Sequence, residues 1–242
     1  MSSASVEDYL KAIRFLSSHE APASTSAIAE QLRVAAGSVT GMLKRLAERG
    51  LVEHVPYYGA RLTEAGQREA VRLVRRHRMI ELFLVRMLGY EWDRVHAEAE
   101  RMEHAVSDEL VERMAVVLGQ PAEDPHGSPI PGDGEPLVEP SYPVLSDLAA
   151  GGSAVLREVP DGDPEVLRYL AKLNLFPGNH LKLVERAPFG GPLRIEIEGE
   201  EHYIGTELSD HLRVEPASQD AGTEAGVGGS GLSARASVGR RS

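Results

Sequence analysis

The run from Arg94 to His104 carries histidine and glutamate at helical spacing. On a helix, His96, Glu100, Glu103 and His104 fall at i, i+4, i+7 and i+8 and share one face. His77 and Glu81 form a second i, i+4 pair upstream. Imidazole and carboxylate together hold divalent ions, and without thiolate they suit Mn2+ or Fe2+, with Zn2+ also accommodated. At about 1.5 Å per residue, His96 and His104 lie about 12 Å apart along the axis, so one helix would serve two ions. The competing reading is a solvated charged face, the usual fate of a lone His–Glu pair. Spacing leaves both open. Metal-dependent hydrolysis is a weaker alternative, because HExxH and GxSxG are absent and no second catalytic constellation accompanies the run.

These residues need helices to position them. Val6, Tyr9, Leu10, Ile13 and Leu16 form an apolar stripe over a first helix. Ala21 to Thr25 breaks it and offers hydroxyl caps for a second helix through Ile28, Ala29 and Leu32. A third, from about Gly37 to Arg49, turns Val39, Leu43 and Leu46 inward and ends at Gly50. Leu51 to Leu62 reads as a hairpin with its tip at Pro56 to Gly59. Three short helices and a hairpin make a winged helix-turn-helix pattern. A long helix then starts after Thr63 and stops at Gly89, and a further helical stretch, Glu91 to Leu118, is split near Ser107. Gln120 to Pro143 is proline-rich and reads as a linker or an extended segment over a surface. Leu181–Val184, Leu193–Ile197, His202–Ile204 and Leu212–Val214 are strand candidates for a small barrel-like domain beginning near Val144. The Gly-, Ala- and Ser-rich end after Glu215 has little to bury and is expected to be disordered.

Composition narrows the class. The 242 residues contain no cysteine, which removes disulfides, thiolate zinc sites and a cysteine nucleophile. No run approaches the roughly 18 apolar residues of a membrane helix, and MSSASVEDYL has no signal-peptide core, so a soluble cytoplasmic protein is expected, with no membrane partner. The net charge of −11 is uneven: residues 1–76 carry eleven Lys/Arg against eight Asp/Glu, leaving −14 for the rest. A basic end on an acidic body is compatible with nucleic acid at one end and cations at the other.

Glu7-Asp8-Tyr9-Leu10, His77-Arg78 with Glu81, Val95 to Glu100 continuing to Glu103-His104, Ser107-Asp108-Glu109 and Pro125 to Pro131 together resemble the diphtheria-toxin-repressor-like metalloregulators, which are iron- or manganese-dependent. The resemblance runs from Val6 to about Val214. It implies a multidomain, mainly α protein with a small β domain. A winged helix-turn-helix would occupy residues 1–73 and a helical metal-binding and dimerisation domain 74–132. A linker (133–143), an SH3-like β-barrel (144–215) and a disordered tail (216–242) would follow. One ligand set carries over as Asp8, Glu100, Glu103 and His104, the other as His77, Glu81 and His96, completed by Glu158 and Asp161 of the SH3-like domain. Iron-type members have methionine and cysteine where Asp8 and Glu100 stand. Manganese-type members have Asp and Glu there but a glutamate at the position of Lys11. The oxygen pair favours Mn2+, then Fe2+, with Zn2+ as a surrogate.

The implied function is a metal-dependent, homodimeric repressor of metal-uptake genes that binds a double-stranded DNA operator and takes no small organic substrate. A regulator with purely structural metals is the alternative. For DNA the candidates are Ser38 and Thr40 at the start of the recognition helix, Lys44 and Arg45 for phosphates, and Tyr57 and Arg61 on the wing. Asp8, Glu100 and Glu103 would repel one another without an ion, leaving the first helix loose. Val95, Ala99, Met102, Val106 and Leu110 offer either a dimer face or internal core.

Overall fold

In a computed structural model, residues 3–17, 21–55 and 58–217 are described. Helices α1 (Ser3–Leu16), α2 (Thr25–Gln31) and α3 (Ala36–Glu48) precede a hairpin of β1 (Val52–Val55) and β2 (Gly59–Leu62). Leu10, Ile13, Ile28, Val39, Met42, Leu43, Leu46 and Leu62 close one core between them. Ser24 caps α2 through the amide of Ala27. The wing is stitched to the α1–α2 connection by paired Ala23 and Ala60 amides at 2.9 Å. Gly59, at φ +120°, is required there, because a Cβ would sit 1.9 Å from the Ala23 carbonyl oxygen.

Helix α4 (Glu64–Leu88) is capped by Thr63 and ended by Gly89 in the left-handed conformation. Its 25 residues span about 37 Å. The first half buries Ala70 and Leu73 in the core of the DNA-binding-like unit. The second half buries Met79, Ile80, Leu82 and Leu84 against α5 (Val95–Glu103) and α6 (Asp108–Leu118). One rod thus joins the helix-turn-helix to the acidic and histidine-bearing helix. Ser107 caps α6 as its position suggests.

The last unit is a five-stranded antiparallel sheet in the order β6-β5-β4-β3-β7. Its strands are β3 (Ser153–Glu158), β4 (His180–Arg186), β5 (Leu193–Ile197), β6 (Glu200–Ile204) and β7 (Arg213–Pro216). Helix α7 (Pro164–Lys172) follows β3, and the one-turn α8 (Thr206–Ser209) precedes β7. Two elements here extend the strand candidates read from the sequence. β3 turns only Ala154 and Leu156 fully inward, too short an alternation to stand out. α7 had a legible start in the Asp163 cap followed by Pro164. Their core contains Leu156, Leu167, Leu170, Leu183, Ile195 and Val214.

Residues 126–131 do not run free between these units. Arg75 donates to the Pro131 carbonyl at 2.8 Å and Arg78 to that of Pro129 at 2.6 Å, fastening the segment to α4. His126 holds both sides: its ring Nε2 donates to the Trp92 carbonyl (2.9 Å) and its own carbonyl accepts Val159 N–H (3.0 Å). Trp92 stacks on His126 and tilts against Phe176, and Arg168 pairs with Asp93 at 3.0 Å. The β unit is therefore packed on the helical one, a point the sequence left open.

Candidate metal centres and DNA interface

Among the described residues, the potential ligands fall into three groups. In the first, Asp8 from α1 meets Glu103 and His104 from the end of α5. His104 Nε2 lies 3.4 Å from Asp8 Oδ1 and 3.6 Å from Glu103 Oε1. Its other nitrogen, Nδ1, is 2.6 Å from Glu7 Oε2. A proton on Nδ1 donated to Glu7 leaves the Nε2 lone pair facing the two carboxylates, which is the tautomer a metal ligand needs. Sequence reading found the Glu7-Asp8 pair but gave Glu7 no role. Burial raises the Asp8 carboxyl, with the charges of His104 and Lys11 opposing and those of Glu103 and Glu100 adding.

The second group is His77 and Glu81 of α4 with His96 of α5. His77 Nε2 and His96 Nδ1 each lie 3.0 Å from Glu81 Oε1 and 3.1 Å from one another. These are ordinary hydrogen-bond separations, and the three donor atoms lie close enough together for one divalent ion to take them over. Burial alone would lower the His77 imidazole, but hydrogen bonds to Glu103 and Glu81 hold it up at about 9. A proton and a metal ion therefore compete for its Nε2. Desolvation would raise Glu81, yet the hydrogen bonds of His77 and His96 keep it well below the usual carboxylate range.

The third group was not read from the sequence. Asp124 and His126 approach the other side of Glu81, and all three are buried. Glu81 Oε2, Asp124 Oδ2 and His126 Nδ1 are buried atoms with no hydrogen-bond partner among the described residues. Arg78 Nε stands 3.7 Å from Asp124 Oδ2, beyond hydrogen-bond reach, and Glu81 Oε2 and His126 Nδ1 are left as buried acceptors that a cation would satisfy. Burial and the nearby Glu81 charge push Asp124 up to about 7. Its other oxygen, Oδ1, accepts the amides of His126 and Ser128 and fixes the turn. A hard divalent ion fits these oxygen- and imidazole-rich groups, and the residues that would hold it are those just named.

Other candidate ligands lie differently. Glu100 is exposed and stands 3.7 Å from His96 Nε2, outside the Asp8 group. Glu158 accepts the Ser128 hydroxyl at 2.8 Å and does not join the His77 group. Asp161 lines the small cavity beside His77 and His96 and acts on His96 through its charge. The expectation of three mutually repelling carboxylates at α1 changes accordingly: Glu100 stands apart, while Lys11 meets Glu103 and His104 meets Glu7 and Asp8. Val95 and Ala99 of that stripe are internal core, with Met102 and Val106 partly buried against it, while Leu110 is exposed. The exposed apolar residues of this unit are Met87, Leu88, Tyr90, Leu110, Val116 and Val117.

On α3, Ser38, Thr40, Lys44 and Arg45 lie on the exposed face, opposite buried Val39, Leu43 and Leu46. Thr40 Oγ1 also bonds back to the Ala36 carbonyl at 3.2 Å. Arg61 is half-buried on β2, and Tyr57 lies outside the described residues. Tyr58, which sequence reading passed over, is exposed on the wing. Gly37 and Gly41 share the outer face of α3, and a Cβ at either would meet nothing within 4 Å. Among the described residues, no helix is long and apolar enough to cross a membrane.

Comparison with known proteins covers the same ground. Residues 1–60 match the family model for the iron dependent repressor N-terminal DNA binding domain, and residues 63–132 its metal binding and dimerisation domain. Residues 144–216 match a FeoA domain. The iron-dependent repressor IdeR of Mycobacterium tuberculosis (strain ATCC 25618 / H37Rv) is 32% identical over 222 residues, covering 86% of this chain and 96% of that protein. A manganese-dependent transcriptional repressor solved in complex with manganese is 37% identical with a TM-score of 0.79, covering 88% of this chain and 100% of that one. The manganese regulator SloR is 38% identical with a TM-score of 0.70, covering 88% and 98%. The chain belongs to the iron-dependent repressor family of metal-dependent, DNA-binding transcriptional repressors, with a winged helix-turn-helix, a helical metal-binding unit and a C-terminal FeoA domain of SH3-like fold.

Proposed function

We propose that this repressor responds to Mn2+, or to Fe2+ in its place, and binds as a homodimer to operators of metal-uptake genes when metal is replete. The observation that carries this reading is the meeting of Asp8 on α1 with Glu103 and His104 on α5. A divalent ion there supplies positive charge shared by a DNA-binding-unit residue and a helical-unit residue. Asp8 shares its helix with Leu10 and Ile13, which pack on the α2–α3 core, so fixing Asp8 fixes the placement of α3. The oxygen-rich first group, in a chain without cysteine thiolates, supports a hard ion over zinc, which serves as a surrogate. Asp161, rather than Glu158, is the FeoA-domain residue best placed to contribute. The exposed apolar residues from Met87 to Tyr90 and on α6 supply the self-association face. A repressor acts where the DNA is, so the cytoplasm is the proposed location.

Fluorescence anisotropy on duplex DNA from upstream of metal-uptake genes tests the reading at fixed physiological salt. Chelated protein should bind weakly, and Mn2+ or anaerobic Fe2+ should tighten binding at least about a hundredfold, by roughly 3 kcal/mol of coupling. Two chains per duplex should be found at saturation. Equal affinity with and without metal would reduce the ions to structural parts.

Gly41 offers a separate check on the DNA face. Glycine inside a helix costs about 1 kcal/mol relative to alanine, and nothing inside the protein requires it here. Its use is close approach of α3 to DNA. Gly41→Ala should therefore raise the melting temperature by a few degrees for about 0.5–1 kcal/mol and weaken operator binding about tenfold, both readable on one preparation. Tighter DNA binding in that variant would place the contact elsewhere.

A further inference from the structure

Lys11 stands between the first two donor groups. Its Nζ is 2.5 Å from Glu103 Oε1, the oxygen that also faces His104 Nε2 at 3.6 Å. The other oxygen of the same carboxylate receives His77 Nδ1 at 2.7 Å. Lys11 also lines the cavity of about 150 Å³ that it shares with His77, His96 and Asp161. It borders the larger cavity of about 810 Å³ as well, on whose wall Glu139 and Glu158 lie. A single ammonium thus touches the carboxylate that joins both groups.

We propose that Lys11 is a built-in cation that competes with the metal ion for Glu103 and so raises the metal concentration at which the first group fills. The inference rests on Asp8, Glu103 and His104 holding that ion. Glu103 is almost completely buried, with its side chain 2% exposed, so its charge must be balanced when no ion is bound. Lys11 and His77 provide that balance, and the Lys11–Glu103 pair ties α1 to α5 without metal. One oxygen cannot serve an ammonium and a divalent ion at full strength, and the two cations repel. Glu103 therefore gives up its pairing with Lys11 when it binds metal, and the loss is subtracted from metal affinity. Lys11 also lines the larger cavity, which leaves its four-carbon stem room to withdraw from Glu103.

The test uses the full chain with Lys11→Met, which keeps the length of the stem and removes the charge, beside Lys11→Arg, which keeps the charge. Mn2+ affinity is read by competition with a fluorescent chelator, and the first group is identified as the component that Asp8→Asn removes. Lys11→Met should bind Mn2+ in that component about tenfold tighter than wild type. It should melt below wild type in chelator and at or above it in Mn2+, since only the protein without metal needs the ammonium. Lys11→Arg should stay within about threefold of wild type. Unchanged or weaker Mn2+ binding by Lys11→Met overturns the proposal while leaving the ligand set standing. If Asp8→Asn removes no component at all, the ligand set falls and the proposal falls with it.

Discussion

Glutamine at position 103 is expected to abolish metal-dependent operator binding while leaving the chain folded. Glu103 touches α1 through Lys11, α4 through His77 and the first donor group through His104. Glu103→Gln keeps the shape and can still accept from Lys11, but it loses the charge that draws both a divalent ion and the imidazolium. Mn2+ affinity in the first group should fall at least about a hundredfold, since loss even of a residue supporting a ligand costs 10–100-fold. In chelator the variant should lose about 2 kcal/mol of stability, the scale of a buried charge-assisted hydrogen bond. The pH dependence of that loss has a definite sign. His77, raised from 6.5 to about 9, contributes stability that is fully present below pH 6.5 and disappears as pH rises through 9. The melting difference between wild type and Glu103→Gln should therefore be widest near pH 6 and narrow toward pH 9.5. Titration calorimetry and thermal melts read both effects. A variant that still needs metal for DNA, with wild-type affinity, would remove Glu103 from the ligand set.

Much of this site could be read from spacing. The apolar stripes of α1, α3 and α4 are strongly periodic and end at Gly50 and Gly89, so the helices that carry Asp8, His77 and Glu81 were legible. The i, i+4 pair His77–Glu81 does converge on one point, because both lie on the buried face of α4. The single stripe on α5 was less faithful. His104 is reached by Glu7 and Asp8 of α1, while Glu100 is exposed beside His96. A helical wheel cannot show which part of a stripe a neighbouring helix covers. Asp124 and His126 were missed for a different reason. They come from a non-repetitive turn in a proline-rich segment, where no periodicity links them to Glu81, and the only local signal is an Asp-x-His-Gly-Ser turn whose carboxylate binds the next amides. The apolar face of α5 was ambiguous from sequence because internal packing and self-association impose the same pattern. Only the placement of α4 against it decides for core.

The turn that supplies Asp124 and His126 is also where the FeoA domain rests, and one residue controls both. Gly127 has φ +90°, and a Cβ added to it would lie 1.8 Å from the Arg157 carbonyl oxygen and 2.8 Å from its carbon. Both atoms are backbone at the end of β3, so no side chain can turn away to make room. On either side of Gly127 the contact is knit by hydrogen bonds, from Val159 N–H to the His126 carbonyl at 3.0 Å and from the Ser128 hydroxyl to Glu158 at 2.8 Å. Gly127→Ala must therefore separate the turn from β3 or distort it, with an expected cost of about 3 kcal/mol from strain and lost contacts. Either response moves Asp124 and His126 relative to Glu81 and carries Asp161 away from His96. Mn2+ binding that depends on Asp124 should fall at least about tenfold. The component that depends on Asp8 should persist, because Asp8, Glu103 and His104 form a group that shares no residue with Glu81, Asp124 and His126. Hydrogen exchange over residues 120–160 should rise while α1 and α3 keep their protection. Wild-type stability and wild-type ion stoichiometry in Gly127→Ala would mean that the FeoA domain does not rest on this turn. If instead the Asp8-dependent component were lost together with the Asp124-dependent one, the docked domain would be gating the first group as well, through the His77–Glu103 contact that joins α4 to α5.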